Sequence, residues 1–142
     1  MIEVYDNFLP EEVFMPIKEY IFSGQMPWYY MPNSVTDDDK CPQFSHALYV
    51  DCEPISDVYN RIKPIFATLN PIGISRVKFN ATARTSEIKE KPLHIDIHTG
   101  TPESPNIPDY NICVIYFNDC NGYTYFEDGQ KVESKSNRAV IF

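Results

Sequence analysis

His94 and Asp96 are the two residues of this chain whose types and spacing best suit metal chemistry. They lie in Leu93-His94-Ile95-Asp96-Ile97-His98, where apolar and polar residues alternate. An extended backbone sends alternate side chains to one face, so His94, Asp96 and His98 are expected to share a side. On such a strand His94 and Asp96 stand roughly 7 Å apart at the backbone, and their side chains must lean together to hold one ion. An imidazole and a carboxylate supply two corners of the two-His-one-carboxylate set, which leaves positions open on iron(II) for oxygen chemistry. A second His must come from elsewhere. His98 stands roughly 13 Å from His94 along the same strand, a poor substitute, and nothing around His46 places it near the pair. Taken alone, such a pair on a surface strand more often marks a solvated face.

The elements that must position these residues are legible in the hydrophobic pattern. Ile2-Glu3-Val4-Tyr5 alternates like a short strand, and Pro10 suits the first turn of a helix. Val13, Phe14, Ile17, Tyr20 and Ile21 then follow helical spacing up to Gly24, which predicts a helix over 10–23. Met26 to Pro32 is aromatic and proline-rich and reads as an extended wall, with Trp28, Tyr29 and Tyr30 taken as core rather than as a substrate groove. Asp37-Asp38-Asp39-Lys40 reads as a solvated loop, because a calcium loop spaces its ligands around the ion and usually bends at a glycine. Phe44 to Val50 reads as a strand. Ser56 caps a second helix with Val58, Ile62, Ile65, Phe66 and Leu69 on one face, kinked or restarted at Pro64 and ended by Asn70-Pro71. Strands are predicted over 74–83, 93–98, 111–118, 123–126, 130–133 and 138–142, with Asn121-Gly122 and Asp128-Gly129 as tight turns between them.

Composition narrows the class. A chain of 142 residues with 43% hydrophobic and 14% aromatic content supports one globular domain over 1–142, and 12 prolines favour short strands joined by turns. The fold class expected is mostly β, or α+β. The net charge of −8 argues against nucleic acid as a partner, since phosphate binding needs a basic stripe. Peptide and small-molecule partners stay open. Cys41, Cys52, Cys113 and Cys120 lack paired metal-site spacing and read as free thiols of a reducing compartment. With no apolar run long enough for a membrane span and no signal-peptide pattern, a cytoplasmic location is expected.

Several phrases occur together in order: Val77-Lys78-Phe79-Asn80, His94-x-Asp96, Ile115-Tyr116-Phe117-Asn118, Gly122-Tyr123-Thr124-Tyr125-Phe126, and Asn137-Arg138-Ala139-Val140-Ile141-Phe142. In this the chain resembles the iron(II)- and 2-oxoglutarate-dependent oxygenases, specifically a prolyl-hydroxylase-like branch common in phages and marine bacteria. Its opening, Val4-Tyr5-Asp6-Asn7-Phe8-Leu9, is similar to that branch's entry into its first helix. The resemblance spans nearly the whole chain. It implies a double-stranded β-helix, or jelly roll, supported by two N-terminal helices. It also implies Fe(II) and 2-oxoglutarate as cofactors and hydroxylation of a peptidyl or protein side chain, proline being one candidate. Under it, His94 and Asp96 match metal ligands, and Tyr116 matches a residue that bonds the cosubstrate's far carboxylate. Asn80 and Arg84 fall where the branch places residues near cosubstrate or substrate.

The same resemblance places a second His after the 137–142 phrase and a basic cosubstrate ligand about ten residues later, so the chain reads as cut short at Phe142. A jelly roll lacking its last strands exposes strand edges, which invites self-association, and two ligands hold iron more weakly than three. Weak or absent metallation and little activity are therefore expected of this stretch by itself. The competing reading is a non-catalytic jelly-roll module with a structural or ligand-binding role. A cupin-like enzyme ranks lower, because only His46 lies towards the N-terminus.

Overall fold

The computed structural model describes residues 1–36, 39–96, 99–101, 104–106 and 110–142. Strands dominate it, with a few helices, so the mostly-β, α+β expectation holds. Contacts within the chain gather into two compact units. One comprises Phe8–Lys89, and the other joins Met1–Asn7 to Glu90–Phe142.

In the Phe8–Lys89 unit, α1 (Glu11–Phe22) buries Phe14, Ile17 and Ile21, three of the residues set at helical spacing. The Pro10 carbonyl accepts the N–H groups of Val13 and Phe14 at 3.0 and 2.9 Å, which starts the first turn. Pro16 lies inside the helix and removes one backbone donor. Burial of the apolar face offsets that loss. Gly24, at φ 75°, adopts the left-handed backbone that ends the helix region.

Pro64 does divide the second helical stretch. Two short helices result, α2 (Tyr59–Ile62) and α3 (Ile65–Leu69), with left-handed Asn70 closing α3 through its N–H to the Phe66 carbonyl at 2.9 Å. Ahead of α2, Ser56 Oγ accepts the Val58 N–H at 3.2 Å.

The sheet of this unit is built on β3 (Gln43–Val50), which pairs antiparallel with β2 (Tyr29–Met31), β4 (Glu53–Pro54) and β5 (Val77–Ala81). The β3–β5 register shifts between Ala47 and Tyr49, and Leu48, within that bulge, is fully buried. Tyr49 stacks on Tyr59 with ring centroids 5.1 Å apart, which lays α2 against β3. Tyr29 and Tyr30 are 61% and 62% exposed. They were expected in the core, but they occupy a three-residue strand whose side chains are all exposed.

The second unit contains β1 (Glu3–Tyr5), β6 (Thr99–Thr101), β7 (Ser104–Asn106), β8 (Cys113–Tyr116), β9 (Tyr123–Tyr125), β10 (Lys131–Glu133) and β11 (Arg138–Ile141). Its main sheet runs β1-β11-β8, all antiparallel, with Ala139 and Val140 fully buried. Arg138 clamps the end of β1 by donating to both Asp6 carboxylate oxygens, at 2.6 and 2.9 Å. β9 and β10 form a separate hairpin, and β6 pairs with β7.

Asp128-Gly129 turns β9 into β10 as expected. Gly129 has φ 87°, its N–H bonds the Phe126 carbonyl, and the Phe126 N–H bonds the Gln130 carbonyl. Asn121-Gly122 does not join β8 to β9 in a hairpin. β8 pairs instead with β11, and residues 120–122 run beside Ser134, whose N–H bonds the Gly122 carbonyl at 2.9 Å. A tight-turn pair reports local chain reversal and not which strand becomes the partner.

The expected strand over 93–98 is not formed by its described residues. Residues 91–95 are irregular and Asp96 lies in a bend, while Ile97 and His98 fall outside the described residues. Pro92 offers no backbone donor, and Leu93 and Ile95 are about half exposed, so little burial holds this stretch in a sheet.

Candidate metal centre

Although they are not on a strand, His94 and Asp96 come together. The Nε2 of His94 lies 3.8 Å from Oδ1 of Asp96, with the two side chains 43% and 25% exposed. The other ring nitrogen, Nδ1, is 3.1 Å from the Pro92 carbonyl. A carbonyl oxygen can only accept, so Nδ1 carries the proton of that bond, and in the neutral ring Nε2 keeps its lone pair. That lone pair faces a carboxylate. Both groups are of the types that bind metal ions, and one ion can take a donor from each.

The spacing admits a metal. Metal–donor bonds of about 2.0–2.2 Å put two ligands of one ion about 3 Å apart at right angles and about 4.2 Å apart in line, so a small closure of the pair suffices. A His whose second nitrogen bonds a carbonyl is also the usual arrangement for a metal ligand, because that bond fixes tautomer and ring orientation. Among the described residues no group of three His, Cys, Asp or Glu side chains gathers around one point. His98 lies outside the described residues.

The segment leading to His94 is tied to the β9–β10 hairpin. The Tyr125 hydroxyl donates to the Lys91 carbonyl at 2.5 Å, and the Tyr123 hydroxyl donates to the Glu90 carboxylate. Lys131 completes this cluster, 2.9 Å from Glu90 and 3.0 Å from the Tyr123 hydroxyl, with its ammonium 4.2 Å from the Tyr123 ring centroid. The hydrogen bonds from Tyr123 and then Lys131 hold the Glu90 carboxyl below its ordinary range, and those to Tyr123 and Glu90 push Lys131 up to about 12. Sequence reading missed these residues. Tyr123 and Tyr125 stand two apart on one strand, but their partners lie more than thirty residues upstream.

Tyr116, the expected cosubstrate residue, is half-buried at the end of β8. Its hydroxyl lies 2.6 Å from Thr124 Oγ1 and donates to the Val132 carbonyl at 3.3 Å. Burial pushes the pKa of this hydroxyl above the ordinary phenol range, partly opposed by the Thr124 bond. To meet a carboxylate, this hydroxyl must release one of its present partners. The exchange costs on the order of 1 kcal/mol before the new bond repays it.

Comparison with protein-family models, curated proteins and solved structures found no match.

The remaining candidates belong to the Phe8–Lys89 unit. Asn80 is exposed on β5, opposite Ser45, and Arg84 is exposed three residues beyond the end of that strand. Trp28, Phe44, Ala81, Thr82 and Ala83 line an open pocket of about 300 Å³ there, next to the exposed tyrosines of β2. His46 is 5% exposed in the middle of β3, with Nε2 2.9 Å from Ser56 Oγ and Nδ1 buried without a hydrogen-bond partner among the described residues. It links the sheet to the start of α2.

Asp37 and Asp38 lie outside the described residues. Asp39 organises its own loop, accepting the N–H groups of Ser34, Val35, Thr36 and Cys41. Desolvation opposes ionisation of this carboxyl, but those donors outweigh it and hold it far below its usual range.

Proposed function

We propose that the chain is an iron(II)- and 2-oxoglutarate-dependent oxygenase domain that hydroxylates a peptidyl or protein side chain, with His94 and Asp96 as metal ligands. One observation carries the reading. The free nitrogen of His94 faces the Asp96 carboxylate at a separation one metal ion can bridge, while the other nitrogen is committed to a backbone carbonyl. When bound, iron(II) and 2-oxoglutarate supply oxidative hydroxylation of a C–H bond with release of succinate and carbon dioxide. The chain's own residues orient the metal donors and, through Tyr116, offer a hydroxyl for the cosubstrate's far carboxylate.

The strand pairing supports a jelly roll. The β9–β10 hairpin is nested between β8 and β11, and the two pairs belong to different sheets. Nested pairs that alternate between two sheets are how a jelly roll wraps.

The test uses the full polypeptide that the gene encodes, supplied with iron(II), ascorbate, oxygen and 2-oxoglutarate, and measures succinate. His94→Ala and Asp96→Ala are each expected to lower its formation at least about 100-fold while leaving the melting temperature near that of the parent. A polypeptide that forms no succinate above the metal-free background, or whose rate ignores both substitutions, contradicts the proposal and favours the non-catalytic jelly-roll module.

A further inference from the structure

The side chains of β9 divide between two tasks. Tyr123 and Tyr125 project from one face and bond the Glu90 side chain and the Lys91 carbonyl, three to four residues before His94. Thr124, between them, projects from the opposite face and meets the Tyr116 hydroxyl. The hairpin beneath is firmly built. Val132, directly opposite Thr124, is buried; Phe126 packs edge-on against Phe142 with centroids 4.9 Å apart; and Ser134 donates to the Asn118 carbonyl at 2.9 Å.

Among the described residues the 91–95 stretch has no strand pairing, and Leu93 and Ile95 are about half exposed. Its ties to the hairpin from Tyr123 and Tyr125 are at Glu90 and Lys91, just ahead of the two proposed metal donors. A displacement of about 1 Å in a metal ligand is enough to lose productive geometry.

We propose that β9 is the positioning strand of the centre, with Tyr123, Tyr125 and Lys131 fixing the segment that presents His94 and Asp96 while Thr124 independently fixes Tyr116. These are positioning residues, since none is placed on the metal. The inference rests on the metal reading above, and its test separates the two.

The experiment compares the parent polypeptide, Tyr123→Phe/Tyr125→Phe and Thr124→Val, each examined for Mn(II) affinity, for thermal melting and, without metal, for backbone NMR order parameters. In the double tyrosine variant the 93–96 amides are expected to fall from the rigid range near ~0.85 to below about 0.6, with those of β9 and β10 unchanged. Its Mn(II) affinity should fall about 10-fold or more with little change in melting, and Lys131→Gln should move both readouts in the same direction by less. Thr124→Val should leave the 93–96 amides as ordered as in the parent.

Unchanged order and unchanged affinity in the double variant overturn the inference and leave the metal reading standing. Loss of order in β9 and β10 as well overturns it too, because the tyrosines would then be general supports of the hairpin. A parent that binds no Mn(II) sinks the metal reading and the claim of ligand positioning with it, whereas the order parameters alone still decide whether the tyrosines tie down the segment.

Discussion

At the residue scale, a hydrogen bond to one nitrogen decides what the other can do. The Pro92 carbonyl accepts a hydrogen bond from Nδ1–H of His94, which leaves Nε2 as the nitrogen beside Asp96. The thiols show the same dependence on surroundings. Burial pushes Cys113 up to about 11, while Cys52 and Cys120 are exposed. At pH 8, iodoacetamide should modify Cys52 and Cys120 and leave Cys113 largely untouched until the protein unfolds, as read by peptide mass spectrometry. Equal labelling of Cys113 and Cys120 in the folded protein would contradict that placement. Because the folded state keeps the Cys113 proton to higher pH, the stability linked to this group is intact below the ordinary thiol range and is lost as the pH climbs through about 11.

At the element scale, the β9–β10 hairpin is the part on which the proposed centre depends most. Its turn needs Gly129 at φ 87°, where a β-carbon is strained although space is open around it. Gly129→Ala should cost about 1–2 kcal/mol, measured by urea unfolding, and no measurable loss would show that the turn is not held in this form. Much of this scale was legible beforehand. Helix α1, the break at Pro64, the stop at Asn70 and the Asp128-Gly129 turn all follow from local chemistry, in which a missing donor or a left-handed backbone dictates the outcome. What stayed hidden depends on distant partners. The pairing of β8 with β11 instead of β9, the exposure of Tyr29 and Tyr30, and the tyrosine ties to Glu90 and Lys91 are set by contacts that no local pattern encodes. At the candidate centre, the strand from which a common side for His94 and Asp96 was expected is not formed by the described residues, and the two side chains lie 3.8 Å apart on an irregular stretch that bends at Asp96.

At the scale of the whole molecule, both proposed metal donors and the hairpin that holds their segment belong to one unit, which the chain builds from its two ends. β1 pairs with β11 across more than 130 residues, and so distant a pairing leaves no trace in composition or periodicity. The net charge of −8 gathers divalent cations over the entire surface, so bulk metal uptake alone says little about His94 and Asp96. Salt separates the two effects, because at about 0.15 M the Debye length is about 8 Å and diffuse attraction is largely screened, whereas direct coordination persists. The most direct measurement is therefore a Mn(II) titration of the full polypeptide at that ionic strength, followed by paramagnetic broadening of the His94 imidazole signals. The account predicts that His94 broadens at substoichiometric metal, ahead of the acidic surface, and that Asp96→Ala abolishes this preference. Broadening spread evenly over surface carboxylates, with His94 unaffected, would contradict it.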